Sequence, residues 1–194
     1  MKRLLFVTAL SMGVVFVQAQ KGGTGAEFGV KAGLNVSNAS IAASTNPDAR
    51  ASLYVGALAH IHLDREWAIQ PEVLYSSQGY KYTVSGVDYK VPINYITIPI
   101  LGQYMFGEGF RIETGPQPGV MVSAHVKSGG NSTDASKNFK TFDLSWAFGV
   151  GYLTHSGFGV DARYNLGLTD ISDDGGSSIK NRVFAAGVFY QFHH

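Results

Sequence analysis

Ser123 and His125 stand two residues apart on one face of a candidate strand, a spacing that could set a hydroxyl nucleophile beside an imidazole base. On a membrane barrel such a Ser/His/acid set would hydrolyse an ester bond in lipid. The sequence places no acid beside the pair, so the favoured reading is structural, at the base of a loop, and no catalytic residue is assigned. His60 and His62 share a face at i, i+2, a spacing that could hold a metal on a strand, but no third ligand is identifiable. Filling of a polar interior is the favoured role, with neither metal nor cofactor assigned. Asp173-Asp174-Gly175-Gly176 is acidic but lacks the alternating ligands of a calcium loop, and reads as a mobile surface loop. Cysteine is absent, which excludes thiol catalysis and Cys-ligated metal. The 15 basic and 14 acidic residues do not cluster by region, so no nucleic-acid partner is expected.

Seven further charges form the most informative set: Lys31, Glu72, Arg111, Glu113, Asp143, Asp161 and Arg163. Each falls on the polar phase of a segment that alternates strictly between apolar and polar residues. Period-2 alternation is the signature of a strand with two unlike faces. Eight such segments follow one another over residues 27–37, 53–63, 67–76, 95–106, 110–122, 142–152, 158–166 and 183–192. The opposing face of all eight carries no charge. Most strand glycines, including Gly29, Gly33, Gly56, Gly115, Gly149, Gly159 and Gly187, share the charged face, and Gly102 alone lies on the other.

Composition points the same way. Charged residues make up only 15%, against ~25% in a soluble domain. Mean hydropathy is nevertheless near zero, as expected when apolar residues alternate singly with polar ones in membrane strands. Residues 1–19 read as an export signal: Lys2 and Arg3, an uncharged apolar stretch, then Val17-Gln18-Ala19 at the cleavage position. The stretch is short of the ~20 residues that span a bilayer as a helix. A single domain over residues 20–194 is expected after it. Connections alternate between tight turns at residues 64–66, 107–109 and 155–157 and longer polar loops at residues 38–50, 81–88, 126–140 and 170–181. An up-and-down barrel puts all the short turns on one rim, which in outer-membrane barrels is periplasmic, and the order found here places both termini there too.

The uncharged face, rich in Trp, Phe, Tyr and Ile, would overfill an eight-stranded lumen, so it is assigned to the outside. The charged face then lines a filled interior with no open pore, where the seven ionic groups are expected to pair with one another because unpartnered buried ions are costly. Trp67, Tyr104, Phe106, Phe110, Tyr152, Phe158, Tyr190 and Phe192 lie near the tight-turn ends and are expected to form a periplasmic aromatic belt. His193 and His194 trail that last aromatic strand. Pro71, Pro92, Pro99, Pro116 and Pro118 fall in or beside strands, where bulges or local breaks are expected.

These segments contain Gly29-Val30-Lys31-Ala32-Gly33-Leu34-Asn35, Gln70-Pro71-Glu72-Val73-Leu74-Tyr75, Asn94-Tyr95-Ile96-Thr97-Ile98-Pro99, Gly115-Pro116 and Arg163-Tyr164-Asn165-Leu166-Gly167-Leu168-Thr169-Asp170. By them the chain resembles the PorT-type family of outer-membrane β-barrel proteins common in Bacteroidota, over essentially all of residues 20–194. The resemblance implies an outer-membrane location and makes Pro99 and Pro116 family features, while implying little about task. The expectation is thus an all-β, eight-stranded antiparallel up-and-down transmembrane β-barrel of OmpA/OmpX-like size in a Gram-negative outer membrane. Its role is structural or interactive through external loops. Its partners are outer-membrane lipid and lipopolysaccharide, with proteins at the loops or the periplasmic side. The alternatives are an outer-membrane lipid-modifying enzyme and a soluble lipocalin-like lipid binder, the latter requiring the apolar face to point inward.

Overall fold

The computed structural model describes residues 25–41, 47–173 and 178–192. The expected export signal, the Asp174-Gly175-Gly176 part of the acidic loop, and His193 and His194 lie outside these residues. Ten strands are formed: β1 (Ala26–Ile41), β2 (Asp48–His62), β3 (Trp67–Val84), β4 (Val87–Thr97), β5 (Ile100–Phe106), β6 (Phe110–Ser128), β7 (Asn131–Asp134), β8 (Phe142–Leu153), β9 (Phe158–Gly167) and β10 (Ile179–Phe192). β4 and β5 are two lengths of one stave, both pairing β3 and β6, and β7 is a short return on the end of β6. Eight antiparallel staves therefore remain, and β1 closes the ring by pairing β10 from Phe28↔Phe192 to Ile41↔Ile179.

The wall has the sidedness that period 2 demands. Val30, Leu53, Val55, Phe148, Val150, Val160 and Val188 are exposed on the outer face, while Lys31, Glu72, Arg111, Glu113, Asp161 and Arg163 are buried within. Inner-face glycines make room for large interior side chains. At Gly187 an added Cβ would lie 2.5 Å from the Ala32 carbonyl oxygen and run into the Tyr54 hydroxyl, and at Gly159 it would strike the Phe189 ring. Tyr54 can swing, but the Ala32 backbone cannot. Gly187→Val is therefore expected to cost about 1–3 kcal/mol by overpacking, read as a lowered urea midpoint of the refolded protein. Ala185→Val, on the same inner face of β10, serves as the comparison.

The prolines gather where the ladder fails. Residues 98–99 separate β4 from β5. Pro118, across the break on β6, takes the Ile98 amide on its carbonyl at 2.8 Å, and the Pro99 carbonyl takes the Glu72 amide at 2.9 Å. The β4–β6 register slips between Asn94 and Tyr95. Opposite Pro71, the β2–β3 ladder has a gap between Leu58↔Glu72 and Ile61↔Ile69, with its register unchanged. A donor missing from one strand is thus met by an irregular neighbour.

Two expectations about the loop rim are corrected. Residues 81–88, expected as a loop, form a hairpin in which β3 and β4 run on to a two-residue turn, with Ser85 at φ 51 and Gly86 at φ 78. Residues 126–140 likewise begin as a hairpin, β6 turning into β7 through Gly129 and Gly130, both at positive φ. Paired positive φ values are those of the hairpin turn that matches strand twist. One flank of the barrel is consequently tall, since β3 and β6 have 18 and 19 residues where β9 has 10. Above the apolar band the outer face also acquires charge: β10 starts earlier than expected and brings Lys180 and Arg182 onto it.

Candidate functional site

The lumen is layered. Nearest the termini, His60 Nδ1 lies 3.3 Å from Gln70 Oε1, Gln70 donates to Glu72 Oε1 at 2.7 Å, and Gln103 donates to Glu113 Oε2 at 2.8 Å. Above them sits an ionic cluster drawn from four staves. Arg163 grips Glu72 through both terminal nitrogens, at 2.6 and 2.7 Å. Its Nε bonds Glu113 and lies 3.1 Å from Asp161 Oδ2. Lys31 bonds Asp161 and stands 3.5 Å from Glu72 Oε1, with the Tyr54 ring centroid 5.9 Å from its Nζ. A guanidinium serves here because its planar fork can satisfy several carboxylates at once.

Five of the seven charges singled out from sequence meet in this cluster, and two stand apart. Arg111 has Gln103 Oε1 at 3.4 Å and lies over the Phe189 ring, 5.4 Å from its centroid. Asp143, higher in the barrel, accepts from Thr169 Oγ1 at 2.7 Å and from Asn181 Nδ2 at 2.8 Å, and among the described residues it joins no ion pair. The amides Gln70, Gln103 and Asn181 were not singled out, yet they carry the links between layers. Their signal was present, since they fall on the same inner phase as the charges.

The top of the lumen is apolar, which departs from the uniformly polar interior expected. Tyr80, Val91, Ile93, Tyr95 and Ala124 from the tall flank pack with Phe139 and Ile171 from the loops. Those loops are stitched together over the mouth: the Lys140 amide donates to the Ile171 carbonyl at 2.8 Å and the Asp173 amide to the Asn138 carbonyl at 3.0 Å. The Asp170 carboxyl is held below its usual range by the backbone amides of Ile179 and Ser172, at 2.8 and 3.0 Å. Asp134 is lowered in the same way by Ser136, whose amide donates to it at 2.8 Å. Beneath this lid, a void of only about 10 Å³ lies against Asn35, Tyr54, Thr97 and Arg163, room for about one water.

The other sequence candidates are placed as follows. Ser123 accepts a hydrogen bond from Asn94 Nδ2 at 2.9 Å, and His125 stands across from Asp134 of β7. No hydrogen bond joins Ser123 to His125 among the described residues. His60 and His62 meet edge to face at 4.5 Å, and no group of three or more metal-ligating side chains occurs among the described residues. The aromatics near the tight turns touch in succession, Trp67–Tyr104–Phe106–Phe110–Tyr152 at 5.0 to 6.2 Å, with Phe158–Tyr190–Phe192 continuing at 4.9 and 5.4 Å.

Comparison with known proteins agrees with this architecture. The family model described as "Outer membrane protein beta-barrel domain" matches residues 18–173. Among solved structures, Ail, the attachment invasion locus protein of Yersinia pestis, is 17% identical, with 86% of this chain and 98% of that chain covered at a TM-score of 0.55. Neisserial surface protein A is 18% identical, with 87% and 99% covered at 0.58. Ail has also been solved with the heparin analogue sucrose octasulfate, at 18% identity, 86% and 99% coverage and a TM-score of 0.52. Likeness at these identities speaks to the fold alone. No curated protein matches the chain.

Proposed function

Because the chain belongs to the outer membrane protein beta-barrel domain family, we propose that this outer-membrane protein is a closed barrel whose working surface is the rim of hairpins and loops opposite its termini. The observation that carries this reading is the succession of side-chain layers inside the barrel. A buried ionic cluster, an amide layer and an apolar plug succeed one another along the axis, and the void beside Arg163 is water-sized. On this reading solute has no path along the axis, and contact with partners falls to the external hairpins and to surrounding lipid, including lipopolysaccharide. The engagement of Ser123 by Asn94 argues against a lipid hydrolase.

On this reading residues 1–19 direct export in a Gram-negative cell, and the aromatic succession from Trp67 to Phe192 marks the periplasmic interface. The Gly29 to Asn35, Asn94 to Pro99 and Arg163 to Asp170 motifs support a place in the PorT-type branch of the family. Reconstitution into planar bilayers tests the closed lumen: the full chain is expected to insert without stepwise conductance. Sustained open channels would overturn the proposal.

A further inference from the structure

The tall flank carries a feature that neither lumen nor loops account for. In antiparallel register Lys81 faces Lys90, and Lys90 faces Lys127. Directly paired residues point to the same side of a sheet, and here the neighbours Tyr80 and Val91 are buried inward, so the lysines point outward. Adjacent strands lie ~4.8 Å apart, so three ammonium groups form a row across three staves. Like charges directly opposed destabilise a sheet, and the only acid in the row is Asp48, beside Lys81 at its edge. None of the three lysines has an ion-pair partner within 4.0 Å among the described residues.

Just below the row, a cleft of about 330 Å³ is lined by Arg50, Ser77, Asn94, His125 and Lys127. Below that again, an apolar groove of about 600 Å³ runs over Ala32, Leu34, Leu53, Val55, Tyr75 and Val188. The two share Ser77 on their linings, so the polar cleft opens onto the greasy groove. Six residues separate Tyr75 from Lys81, about 20 Å of strand, or roughly 15 Å in height at a tilt of ~40°. That is the order of distance from the edge of a hydrocarbon layer through a bulky headgroup.

We propose that this flank is a docking site for a phosphorylated, multiply acylated glycolipid of the outer leaflet. Acyl chains lie in the Ala32–Tyr75 groove. The sugar headgroup occupies the Arg50–His125 cleft, and its phosphates are met by Lys81, Lys90 and Lys127. Charge complementarity selects this occupant: the repulsion within the row is relieved only by an anion, and only an anion carrying chains fills the groove beneath. The inference rests on the reading of the loop rim as the external one.

The test uses the full chain in detergent micelles, titrated with bis-phosphorylated lipid A, with monophosphoryl lipid A and with phosphatidylcholine. Wild type is expected to prefer them in that order. Lys81→Gln, Lys90→Gln and Lys127→Gln together should weaken bis-phosphorylated lipid A by roughly 30- to 100-fold, with heat-modifiable gel mobility retained. A charge-matched control, Arg65→Gln with Lys137→Gln and Lys140→Gln, should bind as wild type does. Equal affinity of the triple variant, equal loss in the control, or heparin binding through these lysines without lipid A binding would each overturn the proposal. Labelling of whole cells at a cysteine placed at Ser132 separates the two levels of failure. An unlabelled site refutes the external rim itself, whereas a labelled site without lysine dependence refutes only the docking.

Discussion

Arg163→Met is expected to be the most damaging single change in the lumen. Removing this guanidinium leaves Glu72 and Asp161 with Lys31 as their one remaining cation within 4.0 Å, and leaves Glu113 with none, among the described residues. Breaking a buried ionic group from one side costs about 3–5 kcal/mol, because the partners stay desolvated without their counter-charge. The measurement is the urea midpoint of the protein refolded into vesicles, followed by heat-modifiable mobility. Removing Glu72 at the same time, as Arg163→Met with Glu72→Leu, deletes the acid that held both arms of the fork and should recover part of the loss. Recovery is the informative sign, since it separates uncompensated charge from lost packing. A single-variant cost under about 1 kcal/mol would mean that the cluster is solvated.

The second large effect lies on the opposite side of the same wall. Ile98 is exposed on the outer face of the fourth stave, at the break between β4 and β5. Ile98→Arg should impair insertion or cost ~2–4 kcal/mol, the penalty for a cation near the bilayer midplane. Gln103→Arg, on the inner face, puts the new guanidinium where Gln103 now meets Glu113 at 2.8 Å, and should cost less. The comparison is made by folding efficiency into vesicles. Equal tolerance at both positions would reverse the assignment of faces.

Much of this was legible in the chain. Alternation from Phe28 to Val36 and from Phe158 to Leu166 fixes which side chains look outward, because a strand's period is two whatever its neighbours are. The pairing partners were not legible. Glu72 and Arg163 are 91 residues apart, and the register that sets Arg163 beside Glu72 while leaving Asp143 to Asn181 is a property of the closed ring. The apolar plug was hidden for another reason. Val91, Ile93 and Tyr95 lie on the inner phase of a stave whose outer phase, Ile96, Ile98 and Ile100, is equally apolar, so the contrast that marks a face vanishes there. The hairpin at Ser85-Gly86, though flanked by Val84 and Val87, was hidden by Lys81, Asp88 and Lys90, charges which above the lipid band no longer signal a loop.

The broken fourth stave bears on where this cylinder is weakest. Where the first and last staves meet, the ladder runs without interruption from Phe28 to Ile41. The fourth stave instead slips in register between Asn94 and Tyr95 and is interrupted at residues 98–99, with Pro118 across the break on β6. The chain's ends are thus the better-welded joint, and thermal breathing concentrates along a line halfway round the circumference, beside the flank that bears the lysine row. An amide there exchanges with solvent before one at the closure does, so the molecule gives first in its middle and last where it was sealed.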